Sequence, residues 1–219
     1  MAATKSIMCF GDSLTWGWIP VVEGTPTRRY EYSKRWTGVM AAQLGDSFQV
    51  IEEGLNARTT SADDPNDPRL NGSAYLPTAL ASHLPLDLVI VLLGTNDTKP
   101  YYHRTPFDIA MGMAKLVGQI AGGRGGVGAS YPALKALVVA PPALAEMPHP
   151  FFRATFGGAH HKLAELGQHY CDMADFMNAE FFDAGSVISA VGCDGIHFTE
   201  QNNKDLGKAL AAKVLEILK

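Results

Sequence analysis

The sequence predicts an α/β protein in three layers, α/β/α, built on a doubly wound parallel five-stranded sheet. Three observations carry this expectation. Short apolar runs bounded by turn residues recur along the chain and alternate with longer stretches of helical periodicity. The run at 86–93 continues through Leu88, Val89, Ile90, Val91, Leu92 and Leu93 with no polar residue interleaved, as in a strand buried on both faces. Finally, 219 residues, 47% hydrophobic and 18% charged, suit one soluble domain, 1–219, with a sizeable core.

In chain order, the first strand is expected at 6–10 and ends at Phe10, followed by Gly11, Asp12 and Ser13. A helix at 35–44 stops at Gly45, and a second strand follows at 48–53. Residues 60–77, with Asp63, Asp64, Pro65, Asn66, Asp67 and Pro68, read as a loop. Loops that long in compact domains serve as lids, binding loops or subunit contacts. After the strand at 86–93, a helix is expected at 108–120, ended by Gly122, and a strand at 136–140. Residues 141–150, with four prolines around Glu146 and His149, read as a second loop. One long helix is expected over 156–177, carrying Leu163, Leu166, Tyr170 and Met173 at helical spacing, with a short strand at 181–182 before Asp183. The last helix begins at Thr199, an N-cap with Glu200 favouring the dipole, and runs through Leu206, Leu210 and Val214.

A formal net charge of −4 argues against a nucleic-acid partner, because polyanion binders carry a basic stripe that releases counterions. Neither a basic membrane patch nor an apolar run long enough for a leader or a membrane span is present; the run in 1–10 covers only Ile7 to Phe10. A cytoplasmic protein is expected. Cys9, Cys171 and Cys193 share no metal or disulfide spacing. Gly123, Gly125 and Gly128 match a dinucleotide fingerprint but follow a helix and precede a strand, the reverse of its context. His160 and His161 are adjacent rather than on one helix turn, so no metal and no cofactor are expected.

The chemistry-bearing residues fall at strand ends. Ser13 lies immediately past the first strand, where a sharp turn would expose its hydroxyl; Thr15 stands where a GxSxG elbow needs glycine, so an α/β-hydrolase elbow is disfavoured. Taken singly, Ser13 reads better as a turn or N-cap serine and needs partners. Asp194 and His197 are three residues apart just before the last helix, a spacing that lets the carboxylate accept from imidazole Nδ1 while Nε2 faces a nucleophile. After the third strand come Gly94, Thr95 and Asn96, whose side-chain amide could donate to a developing oxyanion; after the second come Gly54, Leu55, Asn56 and Ala57, a turn with outward N–H groups.

These four blocks, in this order, resemble the SGNH or GDSL hydrolase family, a likeness spanning Phe10 to His197. Gly-Asp-Ser-Leu alone arises by chance on the order of once in a thousand chains, and here three further blocks follow it. The resemblance implies a flavodoxin-like sheet, Ser13 as nucleophile, His197 as general base then acid, and Asp194 as the orienting carboxylate. It also implies an oxyanion hole from the N–H of Ser13, the N–H of Ala57 and the Asn96 amide. Ala57 and Glu52 depart from the glycine and asparagine usual in the family. Longer strings, 11–18, 52–60 and 94–99, resemble a narrower branch of aryl esterases with acyltransferase activity, which implies a small-molecule ester, an alcohol or water as acyl acceptor, and a homo-oligomer, octameric in that branch. The 63–76 insertion would contribute to subunit contacts. The same likeness implies substrate contacts from Trp18, Thr95, Lys99, Phe152 and Ile196. Independently, Trp16, Trp18, Phe151 and Phe152 near the site suggest an apolar channel suited to aryl or short acyl groups. Trp18 and Ile196 read as well as core, and Phe156 reads better as core. A carbohydrate O-acetyl esterase is the alternative within enzymes, and a non-catalytic α/β binding module the alternative outside them.

Overall fold

A computed structural model describes residues 4–219. Residues 1–3 of the amino-terminal run, and of the single domain expected over 1–219, lie outside the described residues.

Five parallel strands form one sheet in the order β2-β1-β3-β4-β5. They are β1 (Lys5–Gly11), β2 (Phe48–Gly54), β3 (Leu88–Leu92), β4 (Lys135–Ala140) and β5 (Glu180–Asp183). The order reverses between β1 and β3, the switch point at which doubly wound sheets open a crevice beyond their carboxyl ends. Among the described residues seven α-helices accompany it: α1 (Ser13–Trp16), α2 (Trp36–Leu44), α3 (Gly72–His83), α4 (Pro106–Gly122), α5 (Pro150–Thr155), α6 (Ala159–Phe176) and α7 (Glu200–Ile217). Alternation along each strand builds two cores. Met8, Phe10, Val89, Val91 and Val138 face α3, α4 and α6, whereas Ile7, Cys9, Ile90, Leu92 and Val139 face α2 and α7. Burying each of these large apolar side chains stabilises the fold by roughly 1.5–3 kcal/mol, which is why β3 reads as an unbroken apolar run.

The structure corrects the expected elements at four places. The 60–77 loop is irregular only to Asn71, whose side chain accepts from Ser73 N at 3.0 Å and starts α3. Pro77 lies inside that helix and cannot donate to the Ser73 carbonyl four residues back; Gln119 Nε2 of α4 donates to it instead, at 2.8 Å. A residue read as a breaker is thus accommodated by a neighbouring helix. The helix expected over 156–177 is broken at Gly157 and Gly158, the latter left-handed at φ +79°, so that α6 starts at Ala159. Pro150, expected in a loop, opens α5 at its first position, where a missing N–H costs nothing. The α4 start moves back to Pro106, because Asp108 is the third residue of a capping box with Thr105. Thr199 caps α7 as expected, accepting from Asn202 N at 3.0 Å. Among the described residues no helix is long and apolar enough to cross a membrane, and no cluster of His, Cys, Asp and Glu is placed to hold a metal ion.

Candidate active site

Ser13 is the first residue of α1, one turn long, whose N-cap Asp12 accepts from Leu14 N at 2.9 Å. The turn holds the serine hydroxyl at the carboxyl edge of β1. From the opposite end of the chain, the segment before α7 comes back to the same place. α7 packs beside α2, where Asn203 Oδ1 accepts from Trp36 N at 3.0 Å. Gly195 turns this segment with φ +81°, and a Cβ there would lie 2.6 Å from the Glu146 carbonyl oxygen. Only glycine meets both demands. The Gly195 carbonyl also accepts from Ala145 N at 2.9 Å, tying the segment to the proline-rich loop after β4.

His197 Nε2 lies 2.9 Å from Ser13 Oγ, and His197 Nδ1 lies 2.7 Å from Asp194 Oδ2. Asp194 Oδ1 accepts from the backbone N–H of Ile196 at 3.0 Å and of His197 at 2.9 Å, so the carboxylate is oriented by its own turn. Burial alone would raise the Asp194 pKa, but its hydrogen bonds and the imidazole beside it outweigh burial and hold it below the usual carboxylate value. A charged Asp194 fixes Nδ1 as the protonated nitrogen and leaves Nε2 free to accept the Ser13 proton. All three residues are buried. Trp18 stacks on the imidazole, ring centroids 4.7 Å apart and planes 15° from parallel, covering one of its faces.

Ala57 occupies the β2 turn with φ +66°. That left-handed conformation explains the glycine usual at this position, since a Cβ there costs roughly 1–2 kcal/mol. Neither the N–H of Ala57 nor that of Ser13 meets a protein acceptor among the described residues, and both residues line the same pocket. Two unengaged donors on residues that line one crevice are available to an oxyanion. Asn96, at the β3 turn, differs: its Nδ2 donates to Asp12 Oδ2 and to the Arg58 carbonyl, both at 3.2 Å. These bonds are at the long end of the N–H···O range, so one can be exchanged for a stronger, charged acceptor. Asn96→Ala is expected to lower turnover of an aryl acetate roughly 100- to 1000-fold with little change in KM; a loss under about fivefold in steady-state kinetics would remove Asn96 from the oxyanion hole.

Several supporting groups carried no signal in the sequence. Arg58 is buried; Nη1 donates to the Gly11 carbonyl at 3.0 Å and also to that of Glu53, and the guanidinium lies 4.1 Å from the Phe10 ring centre. It clasps the ends of β1 and β2, and burial pulls its pKa down to about 10. Burial pushes the carboxyl of Asp12 up to about 7. Asp97, fully buried, accepts from Thr60 N at 2.9 Å, Thr60 Oγ1 at 2.6 Å and Arg104 Nη1 at 2.8 Å, joining the β2 and β3 turns.

The crevice above Ser13 is a cavity of about 160 Å³. Its apolar wall is Trp18, Phe151, Phe152, Phe156 and Ile196, and Thr95 and Lys99 also line it, so each residue expected near substrate does reach the pocket. Phe156 is both buried in the core and part of this wall. Trp16 is the exception among the expected channel residues. It lies outside the pocket, tilted against Trp18 with the Arg29 guanidinium 5.3 Å from its ring centre. Asn56 and Thr155 complete the lining, Thr155 unforeseen because it comes from α5, and no element was expected between Pro150 and Phe156.

Comparison with known proteins agrees with this geometry. The model of the GDSL-like lipase/acylhydrolase family matches residues 9–204. Among solved structures, the chain is similar to Est24, a carbohydrate acetylesterase from Sinorhizobium meliloti, at 64% identity, covering 97% of this chain and 99% of that one with a TM-score of 0.96. It is similar to the native aryl esterase of M. smegmatis at 63% identity, with the same coverages and TM-score. A putative arylesterase from Agrobacterium tumefaciens follows at 36% identity, covering 97% of this chain and 99% of that one with a TM-score of 0.84. A search of curated proteins finds no match.

Proposed function

This chain belongs to the GDSL-like lipase/acylhydrolase family and is an SGNH esterase, and from that premise we propose that it cleaves short-chain acyl and aryl esters through an acyl-enzyme on Ser13. The observation that carries the reading is the Asp194–His197–Ser13 chain of 2.7 Å and 2.9 Å contacts beside two unengaged N–H groups. Ser13 Oγ attacks the ester carbonyl as His197 Nε2 takes its proton, and the carbonyl oxygen becomes an oxyanion held by the N–H groups of residues 13 and 57 and by Asn96. Imidazolium then protonates the departing alkoxide, leaving the acyl group on Ser13. In the second half, His197 deprotonates water or an alcohol, which attacks the acyl-enzyme and regenerates the serine hydroxyl.

Transfer to alcohols is part of the proposal. The aromatic wall disfavours water and suits an apolar alcohol at the place where the acyl group is released. Following vinyl acetate in water with and without benzyl alcohol reads the partition: benzyl acetate is expected beside acetic acid, and acid alone would reduce the activity to hydrolysis. A serine-reactive phosphonate should label Ser13 in the folded protein, and its failure to do so would remove the acyl-enzyme.

A second reading, deacetylation of carbohydrates, is favoured by the 64% identity to Est24. The apolar wall argues for aryl and alkyl groups instead. Comparing kcat/KM for a sugar acetate and phenyl acetate decides between them.

A further inference from the structure

The pocket carries an ammonium with nothing to bind. Lys99 is 7% exposed and lines the cavity above Ser13, yet among the described residues its Nζ makes no hydrogen bond and no ion pair. Phe156 holds it in place, with the ring centre 5.4 Å from Nζ, but a ring face supplies no acceptor lone pair for the three N–H groups. The carboxylates closest in electrostatic influence, Asp64, Asp12 and Asp97, are already engaged. Asp64 Oδ2 accepts from Tyr102 at 2.6 Å, Asp12 from Leu14 N and Asn96, and Asp97 from Thr60 and Arg104. An ammonium on a pocket wall whose N–H groups meet no protein acceptor is free to bind a ligand that supplies the counter-charge. Burial pulls the Lys99 pKa below the ordinary lysine value, which is the cost of burying the charge expressed as a proton affinity.

A second unmatched group shares the wall. Thr95 Oγ1 is buried with no partner, and Thr95 is separated from Lys99 by only the 3-10 turn Asn96–Thr98. Its hydroxyl can donate to the same acceptor. Two further pocket residues carry an unpartnered atom: Asn56 Oδ1, an acceptor on the β2 turn across β1 from these two, and Trp18 Nε1, an indole donor just past α1; neither lies on the β3 turn with them.

We propose that Lys99 Nζ and Thr95 Oγ1 form a carboxylate-binding subsite beside Ser13, making this esterase selective for esters that carry a second, anionic carboxylate group. The inference rests on the esterase reading of the pocket, and deepens it by naming the substrate class. The carboxylate reaches the subsite from either side of the scissile bond, and two esters separate the possibilities. In 3-acetoxybenzoate it lies on the leaving alcohol; in monophenyl succinate it lies on the acyl group.

The test is the ratio of kcat/KM for each carboxylate ester to that for neutral phenyl acetate, in wild type, Lys99→Met and Thr95→Val. One of the two carboxylate esters is expected to be preferred over phenyl acetate by wild type. Lys99→Met should lower that ratio at least tenfold, chiefly through KM, and Thr95→Val by a smaller factor. A ratio unchanged in Lys99→Met, or phenyl acetate preferred over both esters by wild type, overturns the subsite. Calorimetric titration with 3-hydroxybenzoate, succinate and phenol gives a readout independent of turnover. A carboxylate ligand should bind at least tenfold tighter than phenol to wild type and lose that margin in Lys99→Met. Such binding without any ester cleavage would keep the subsite and overturn the esterase reading; cleavage without it would do the reverse.

Discussion

Ser13→Ala is expected to lower turnover of an aryl acetate by on the order of 10⁴-fold or more while changing KM little. The hydroxyl makes one contact, to His197 Nε2 at 2.9 Å, so its removal leaves no other protein group unsatisfied. Alanine keeps the residue 13 N–H, and Asp12 still caps Leu14 N, so the turn and the backbone oxyanion donor persist. The loss therefore falls on the chemical step. Residual rate above that of water would come from the oxyanion donors acting on a bound ester. Single-turnover kinetics should show no burst of phenol in the variant. A variant that keeps more than a tenth of wild-type kcat would take the nucleophile away from Ser13 and, with it, the role of the Asp194–His197 pair.

Arg104→Met is expected to destabilise the fold by roughly 3–5 kcal/mol, the range for stripping the cation from a buried ion pair. Asp97 is 0% exposed, and Arg104 is the cation in contact with it, at 2.8 Å. The same guanidinium donates to Thr60 Oγ1 at 3.1 Å and to the Asp108 carbonyl at the start of α4. For a chain of this length, that loss corresponds to a fall in Tm of roughly 6–20 °C. Adding Asp97→Asn should recover part of it, because the carboxylate left without its cation is then gone; the double variant is expected to be more stable than the sum of the singles. Chemical denaturation of the four proteins in the cycle measures the coupling. A loss below about 1 kcal/mol for Arg104→Met would show that Thr60 alone satisfies Asp97. Turnover should fall too, since the network joins the turn carrying Ala57 to the turn carrying Asn96.

The central strand was legible because a strand buried on both faces has to be apolar throughout, and 88–93 is. Strand ends were less so: the expected 86–93 overshoots β3 at both ends because Leu86 and Leu93 are buried without joining the ladder. Helices were legible where a glycine or a cap marked them, as at Gly45 and Thr199. α3 escaped because Pro77 signals a break in local terms, and the amide that compensates for it belongs to Gln119, 46 residues along the chain. The missed split at Gly157 and Gly158 is the opposite error, in which apolar periodicity on either side outweighed two glycines.

The candidacy of Ser13, Asn96, Asp194 and His197 was readable from the chain by itself, because four strand-end or helix-start blocks follow one another in an order that none of them carries singly. Their meeting was not. Ser13 and His197 are 184 residues apart, and what brings Nε2 to 2.9 Å from Oγ is the parallel order of the sheet and the packing of α7 on α2. The same holds for Arg58, Asp97 and Arg104, ordinary surface residue types whose burial depends on carbonyls and carboxylates from other segments. It holds most for Lys99, since the absence of a partner is a property of the whole pocket. Local sequence encodes which groups a residue offers; which of them are matched, and which are left waiting for a ligand, is decided only where distant segments enclose a common space.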